Sequence, residues 1–258
     1  MKKRLSLLFF SLCILSLSAF GQTEKTPLIL GEKFVLQSEV LNQDREILVS
    51  LPPDYESGDG SYPVHFILDA EITFEAYAGV VHLMHMADQI PDAIVVGIPN
   101  IDRSYDLDFM RNGAKFLEFI TRELIPVIDS AYRTADERLI AGYSLAGNYV
   151  MYAFFNGHEY FTRFLSGSPY GLYLFYKSLN LLPEAFPKPK AVYASMGRED
   201  KQEQVGPYLD FCKELEQISI QGFEFRYDIL DHRNHDTNIL PNWEDGLTYL
   251  YRNWKPKP

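Results

Sequence analysis

The sequence predicts an α/β fold in which a mostly parallel sheet is sandwiched between helices. Three observations carry this. From residue 64 onward, short apolar runs bounded by turn residues alternate with longer stretches of helical periodicity. Those runs are apolar at successive positions, the pattern of strands buried on both faces. No internal repeat, low-complexity tract or linker divides the chain after residue 21, so residues 22–258 are expected to form one domain.

The elements follow in order. Phe34 to Glu39 and Arg45 to Leu51 read as a hairpin around Asn42-Gln43-Asp44, closed by Pro52-Pro53. Ser57-Gly-Asp-Gly-Ser61 is a turn. Val64 to Leu68 is a strand, Phe74 to Met86 a helix, Ala93 to Ile98 a strand and Phe116 to Ala131 a helix. Glu137 to Ala141 is the next strand and Leu145 to Asn156 its helix. Strands at Phe161 to Leu165, Ala191 to Met196 and Phe223 to Leu230 are separated by helices near Leu172 to Leu181 and Val205 to Ile218. Trp243 to Trp254 closes the chain as a helix.

The first 21 residues read as a targeting segment. Lys2, Lys3 and Arg4 precede an apolar run of 15 residues, Leu5 to Ala19, and Ala19-Phe20-Gly21 offers a small-x-small cleavage site. The run is shorter than the ~20 residues a membrane-spanning helix requires. An exported protein, periplasmic or secreted, is the expectation. Removing three positive residues takes the net charge from −11 to −14, which argues against nucleic acid or an anionic membrane as partner. Cys212 is then the one cysteine left, so no internal disulfide is expected. Oligomeric state is not legible.

Gly142-Tyr143-Ser144-Leu145-Ala146-Gly147 lies at a strand-to-helix junction and is the one G-x-S in the chain. A serine on that sharp turn is the nucleophile elbow of α/β-hydrolases, with Ala146 in place of the last glycine of G-x-S-x-G. A serine hydroxyl needs a base, itself oriented by a carboxylate. In this fold the order is Ser, acid, His, each after a later strand. Gly197-Arg198-Glu199-Asp200 and Asp231-His232-Arg233-Asn234-His235 stand at those places. Asp200 is taken as the acid and His235 as the base, with Glu199 and His232 as alternatives. The expected oxyanion donors are Leu145 N–H, at a helix N-terminus, and Glu71 N–H, with Ala70 as fallback. The Glu71 carboxylate then has to point away.

Four segments resemble the esterase D-like α/β-hydrolases, the group that includes siderophore (enterobactin-type) esterases, acyl-sugar esterases and related acyltransferases. They are Ile67-Leu-Asp-Ala-Glu71 with Phe74, Val95-Val-Gly-Ile-Pro-Asn-Ile-Asp-Arg103-Ser-Tyr-Asp106, Phe116-Leu-Glu-Phe with Glu123-Leu-Ile-Pro126, and Phe161 to Pro169. The resemblance covers about residues 45 to 240 and implies the same triad and oxyanion positions. Ala70 and Ala146 replace family glycines, and Tyr170-Gly-Leu-Tyr173 departs from the family pattern, so the substrate pocket is expected to be individual.

Other residues are weighed against simpler roles. Arg103 is a candidate substrate contact, and an internal pair with Asp106 is the simpler use of an Arg–carboxylate fork. Tyr143, Tyr170 and Tyr173 are candidates to line a pocket for an aromatic acyl group or sugar ring. His82 with His85, and His232 with His235, repeat a three-residue spacing without a metal motif, so no metal or other cofactor is expected. His65, inside a strand, is expected to be a hydrogen-bonded residue of the core or of a sheet edge. The sequence therefore points to an exported serine esterase acting on a small ester. An acyltransferase on the same triad and a catalytically silent ligand-binding protein are the rival readings.

Overall fold

The computed structural model describes residues 29–256, so the targeting segment lies outside the described residues. Eight strands form one sheet: β1 (Glu32–Ser38), β2 (Gln43–Ser50), β3 (Tyr62–Leu68), β4 (Ile94–Ile98), β5 (Thr134–Tyr143), β6 (Arg163–Gly167), β7 (Ala185–Gly197) and β8 (Gln221–Leu230). Their spatial order is β1-β2-β4-β3-β5-β6-β7-β8. The β1–β2 hairpin joins β4 antiparallel, and every pairing from β4 through β3 to β8 is parallel.

Side chains alternate across this sheet. Phe66, Val96, Ile140, Phe164, Val192 and Ala194 face one core, against Phe116, Phe119, Tyr149, Phe154 and Phe211. Ile67, Val95, Ala141, Leu165 and Tyr193 face the other, against Tyr77, Val81, Trp243, Leu247 and Leu250. The second core is covered by α1 (Ala70–Met86) and α8 (Ile239–Leu250). The first is covered by α3 (Gly113–Glu118), α5 (Leu145–Gly157) and α7 (Gln202–Glu216). Both faces of the central strands are dry, which is why those strands read as continuous apolar runs.

Element bounds move at informative places. The helix expected from Phe74 begins at Ala70, because Asp69 takes a left-handed conformation (φ 55°) and its carbonyl accepts from Ile72 and Thr73 N–H. The helix expected over 116–131 is three pieces: α3, a π-helical turn Phe119–Leu124, and α4 (Ile125–Ala131). Pro126 has no N–H to return to the preceding turn, a usual reason for such a break. The helix expected near 172–181 is a 3₁₀ turn, Leu172–Phe175, running into the short α6 (Tyr176–Leu179). A short α2 (Arg103–Asp106) was not anticipated; Asp102 caps it through Tyr105 N–H.

Of the two places expected for His65, core or sheet edge, it takes the core. Tyr251 Oη lies 2.7 Å from its Nε2 and Tyr77 Oη 3.1 Å from its Nδ1. Burial, with the positive charge of Arg163 behind it, lowers its pKa to about 3. Between roughly pH 6.5 and 3 the unfolded imidazole binds a proton that the folded one does not. Stability is therefore expected to fall with acid across that window by about 1.4 kcal/mol per pH unit from this group. Denaturant titrations at several pH values should show that slope in the wild type and a flatter one in His65→Gln; equal slopes would contradict the assignment.

Candidate active site

Ser144 occupies the turn between β5 and α5 with φ 61° and ψ −118°, outside the regions an ordinary side chain prefers. Backbone bonds hold it there: Ser144 N–H donates to Gly167 carbonyl (2.8 Å), and Asn148 N–H to Ser144 carbonyl (3.1 Å). The flanking glycines are required by space. A Cβ on Gly142 would stand 2.5 Å from the Ala146 carbonyl oxygen, and one on Gly147 2.5 Å from that of Gly167. Ala146 is accommodated because Gly142 leaves room for its methyl. Leu145 N–H opens α5, at the positive end of the helix where no intrahelical acceptor exists.

The ends of β7 and β8 are knit into one loop pair. Arg198 N–H donates to Leu230 carbonyl (3.0 Å) and Glu199 N–H to Arg233 carbonyl (2.8 Å), while the Arg198 guanidinium pairs with Asp231. Asp200 Oδ2 then lies 3.8 Å from His235 Nδ1. That is ion-pair range, longer than a hydrogen bond. The Asp200 carboxylate is fully buried, and neither oxygen has a hydrogen-bond partner. Glu199 and His232, the alternatives, form a separate exposed pair at 4.0 Å, with His232 almost wholly in solvent. The structure thus brings Asp200 to His235, and sets Glu199 and His232 outside.

Tyr143, a candidate pocket residue, has its ring beside the His235 imidazole, with 5.3 Å between centroids. It is buried, and its hydroxyl donates to the backbone carbonyl of His235 at 2.6 Å. Burial first of all pushes its pKa up to about 12, so the phenol keeps its proton. Ser168 and Asn238, which sequence reasoning passed over, join the same set of bonds. Ser168 stood in the resemblance segment Phe161 to Pro169 without a role assigned to it, and Asn238 carried no signal, being a common residue in a connecting segment.

On the other side of Ser144, the start of α1 is held by charge. Arg103 Nε and Nη2 fork onto the two Asp69 oxygens at 2.9 and 2.7 Å, and Asn100 Nδ2 donates to Asp69 at 2.7 Å. The hydrogen bonds to Asp69 are the main reason the Arg103 pKa is raised. The expected Arg103–Asp106 pair does not form. Asp106 is buried and paired instead with Arg45 at 2.8 Å, because β2 runs beneath this loop. The Glu71 carboxylate is bound by Asn100 N–H (3.0 Å) and Nδ2 (2.9 Å). Its backbone N–H sits in the first turn of α1, where no intrahelical acceptor exists.

Tyr170 and Tyr173 are exposed by 38% and 53% on the segment after β6. That segment is anchored by buried Leu172 and Phe175, the latter stacked on Phe155 and lying against Phe109. Gly171 N–H donates to Asn148 Oδ1 at 2.9 Å, tying the segment to α5. Among the described residues no group of three or more His, Cys, Asp or Glu side chains is arranged to hold a metal ion. His85 instead faces Asp92 at 3.7 Å.

A parallel sheet with a left-handed serine between its fifth strand and the following helix defines an α/β-hydrolase. The model of the family described as "Putative esterase" matches residues 38–239, and the chain belongs to that family of ester-hydrolysing enzymes. An IroE-like serine hydrolase from Shewanella oneidensis superposes with a TM-score of 0.81 at 23% identity, over 88% of this chain and 82% of that one. The enterobactin esterase FES from Shigella flexneri gives 0.73 at 19%, over 89% and 61%. Siderophore hydrolase EstB from Aspergillus nidulans gives 0.73 at 15%, over 91% and 99%. At these identities the likeness is one of fold. By sequence, the uncharacterized protein YbbA of Bacillus subtilis is 23% identical over 193 residues, 68% of this chain and 76% of its own.

Proposed function

We propose that this chain is an exported serine esterase whose nucleophile is Ser144, whose base is His235 and whose orienting acid is Asp200. One observation carries the reading: a serine held at φ 61° on a strand-to-helix turn, with a buried carboxylate and an imidazole facing each other from the two strand ends that follow in chain order. The Ser144 hydroxyl attacks the ester carbonyl while His235 takes its proton. Leu145 and Glu71 N–H groups, both in the first turns of helices, receive the negative oxygen. Asn100 holds the Glu71 carboxylate, so its charge is kept on the loop side. His235 then protonates the leaving alcohol and activates water against the acyl-enzyme. Lys2, Lys3 and Arg4 before the run Leu5 to Ala19 support export.

For substrate, we favour a small ester with an aromatic acyl part, a siderophore lactone or an acylated sugar. Exposed Tyr170 and Tyr173 offer ring faces, and Tyr170 lies near enough to Arg103 to interact with its charge. The names of the fold neighbours support this choice, since they include siderophore hydrolases, an enterobactin esterase and a ferulic acid esterase. The test is a panel of p-nitrophenyl acetate, feruloyl and acetyl sugars and a catecholate trilactone, alongside mass spectrometry after a fluorophosphonate probe. The expected result is turnover of the aromatic esters and a covalent adduct on Ser144. Folded protein that neither turns over an ester nor takes the adduct overturns the reading.

A further inference from the structure

Tyr143 stands directly before the serine, yet its hydroxyl reaches the base loop. The bonds around it have only one consistent direction. The His235 carbonyl can only accept, so the single phenolic proton of Tyr143 goes to it (2.6 Å). Ser168 Oγ, 2.8 Å from Tyr143 Oη, must then donate to the phenol oxygen. Asn238 Nδ2, at 3.1 Å, donates to Ser168 in turn. Asn238 also closes the base loop from its far side, its N–H donating to the Asn234 carbonyl at 3.1 Å. The loop carrying His235 is thus fixed at its carbonyl and at its exit, and both fixings converge on one chain of donors.

The ring is positioned as closely as the hydroxyl. Its centroid is 5.3 Å from that of His235, and a Cβ on Gly167 would stand 2.3 Å from a Tyr143 ring carbon. Gly167 is the residue whose carbonyl also receives Ser144 N–H. One β6 residue therefore sets both the serine backbone and the slot for the tyrosine beside it.

We propose that Tyr143 is a positioning residue for the base: Asn238, Ser168 and the Tyr143 hydroxyl form a relay that sets the distance of the His235 imidazole from both Ser144 and Asp200. This rests on the serine-esterase reading for its kinetic consequence, but not for its structural one. Bonding through the backbone carbonyl leaves both imidazole nitrogens of His235 free for Asp200 and for the serine. It also ties the base to the residue adjoining the nucleophile, so the two move together.

The test compares wild type, Tyr143→Phe and Ser168→Ala. In Tyr143→Phe, kcat is expected to fall roughly 10- to 100-fold, the scale of a 1 Å misplacement, with KM within about twofold. Reaction of Ser144 with a fluorophosphonate, which needs the base but no substrate binding, should slow by the same factor as kcat. The His235 imidazole resonances, followed by NMR at one fixed pH, should change position, because the ring is no longer held beside that of Tyr143. Ser168→Ala should change all three in the same sense by less. A rise in KM with kcat retained would make the hydroxyl a substrate contact and overturn the proposal. Unchanged kcat, or a fall in kcat with the His235 imidazole resonances in their wild-type positions, also overturns it. If Tyr143→Phe does not fold, Ser168→Ala with the same labelling and NMR readings decides. Turnover that survives Ser144→Ala defeats the esterase reading, while the His235 resonances still answer for the relay.

Discussion

Replacing Ser144 by alanine is expected to lower ester turnover by about 10⁴-fold or more, the scale seen when the nucleophile of a serine triad is removed. The protein should otherwise be intact. The bonds that hold the elbow, Ser144 N–H to Gly167 and Asn148 N–H to the Ser144 carbonyl, are made by the backbone and survive the change. Alanine and serine meet the same left-handed strain at φ 61°. The thermal midpoint should therefore stay within about 2 °C, in keeping with a substitution that removes no packing or buried bond. Loss of turnover with an unchanged melting curve separates chemistry from folding. Turnover within tenfold of wild type would move the nucleophile elsewhere.

The second large effect is on stability. Arg45 is fully buried, with Nη1 on Asp106 Oδ2 and Nη2 on the Pro99 carbonyl, both at 2.8 Å. Its guanidinium lies over the rings of Phe116 and Phe119. Asp106 Oδ2 also accepts from Ile101 N–H at 3.0 Å. Arg45→Met leaves the Asp106 charge buried without its partner, a change that costs about 3–5 kcal/mol. For a domain of this size that lowers the melting temperature by roughly 6–20 °C. The companion Arg45→Met/Asp106→Leu is expected to recover most of the loss, since replacing both charges with apolar groups is often neutral. A single variant within 1 kcal/mol of wild type would show that the pair is not what holds this loop. Because the loop also carries Asn100 and Arg103, the same variant should loosen Asp69 and Glu71 and lower activity beyond its loss of folded protein.

Much of this was legible in the chain because the constraints are local. The elbow announced itself through Gly142, Ser144 and Gly147, whose positions are dictated by contacts within a few residues or with one neighbouring strand. The end of β7 was legible because its buried part is apolar until it stops, and that of β8 because its edge strand alternates apolar and charged residues up to Leu230. What was not legible depended on distant parts of the chain meeting. Arg103 was expected to pair with Asp106 and is bound to Asp69 instead. The choice between them is made by Arg45, contributed by a strand sixty-one residues before Asp106. β7 starts at Ala185, several residues early, because Lys188 and Pro189 hide a segment that pairs only loosely with β8 across a register shift. The bond from Tyr143 to His235 was not legible either, because it depends on Gly167, on the adjacent strand, leaving a slot for the ring.

The connection between β6 and β7 hangs on Leu172 and Phe175, while Tyr170, Tyr173 and Leu174 stand outside the core. Its outward positions can be rewritten without disturbing the sheet below. If Tyr170 and Tyr173 meet the substrate as proposed, changes at these outward positions alter ester preference while the backbone bonds that hold the Ser144 turn stay as they are.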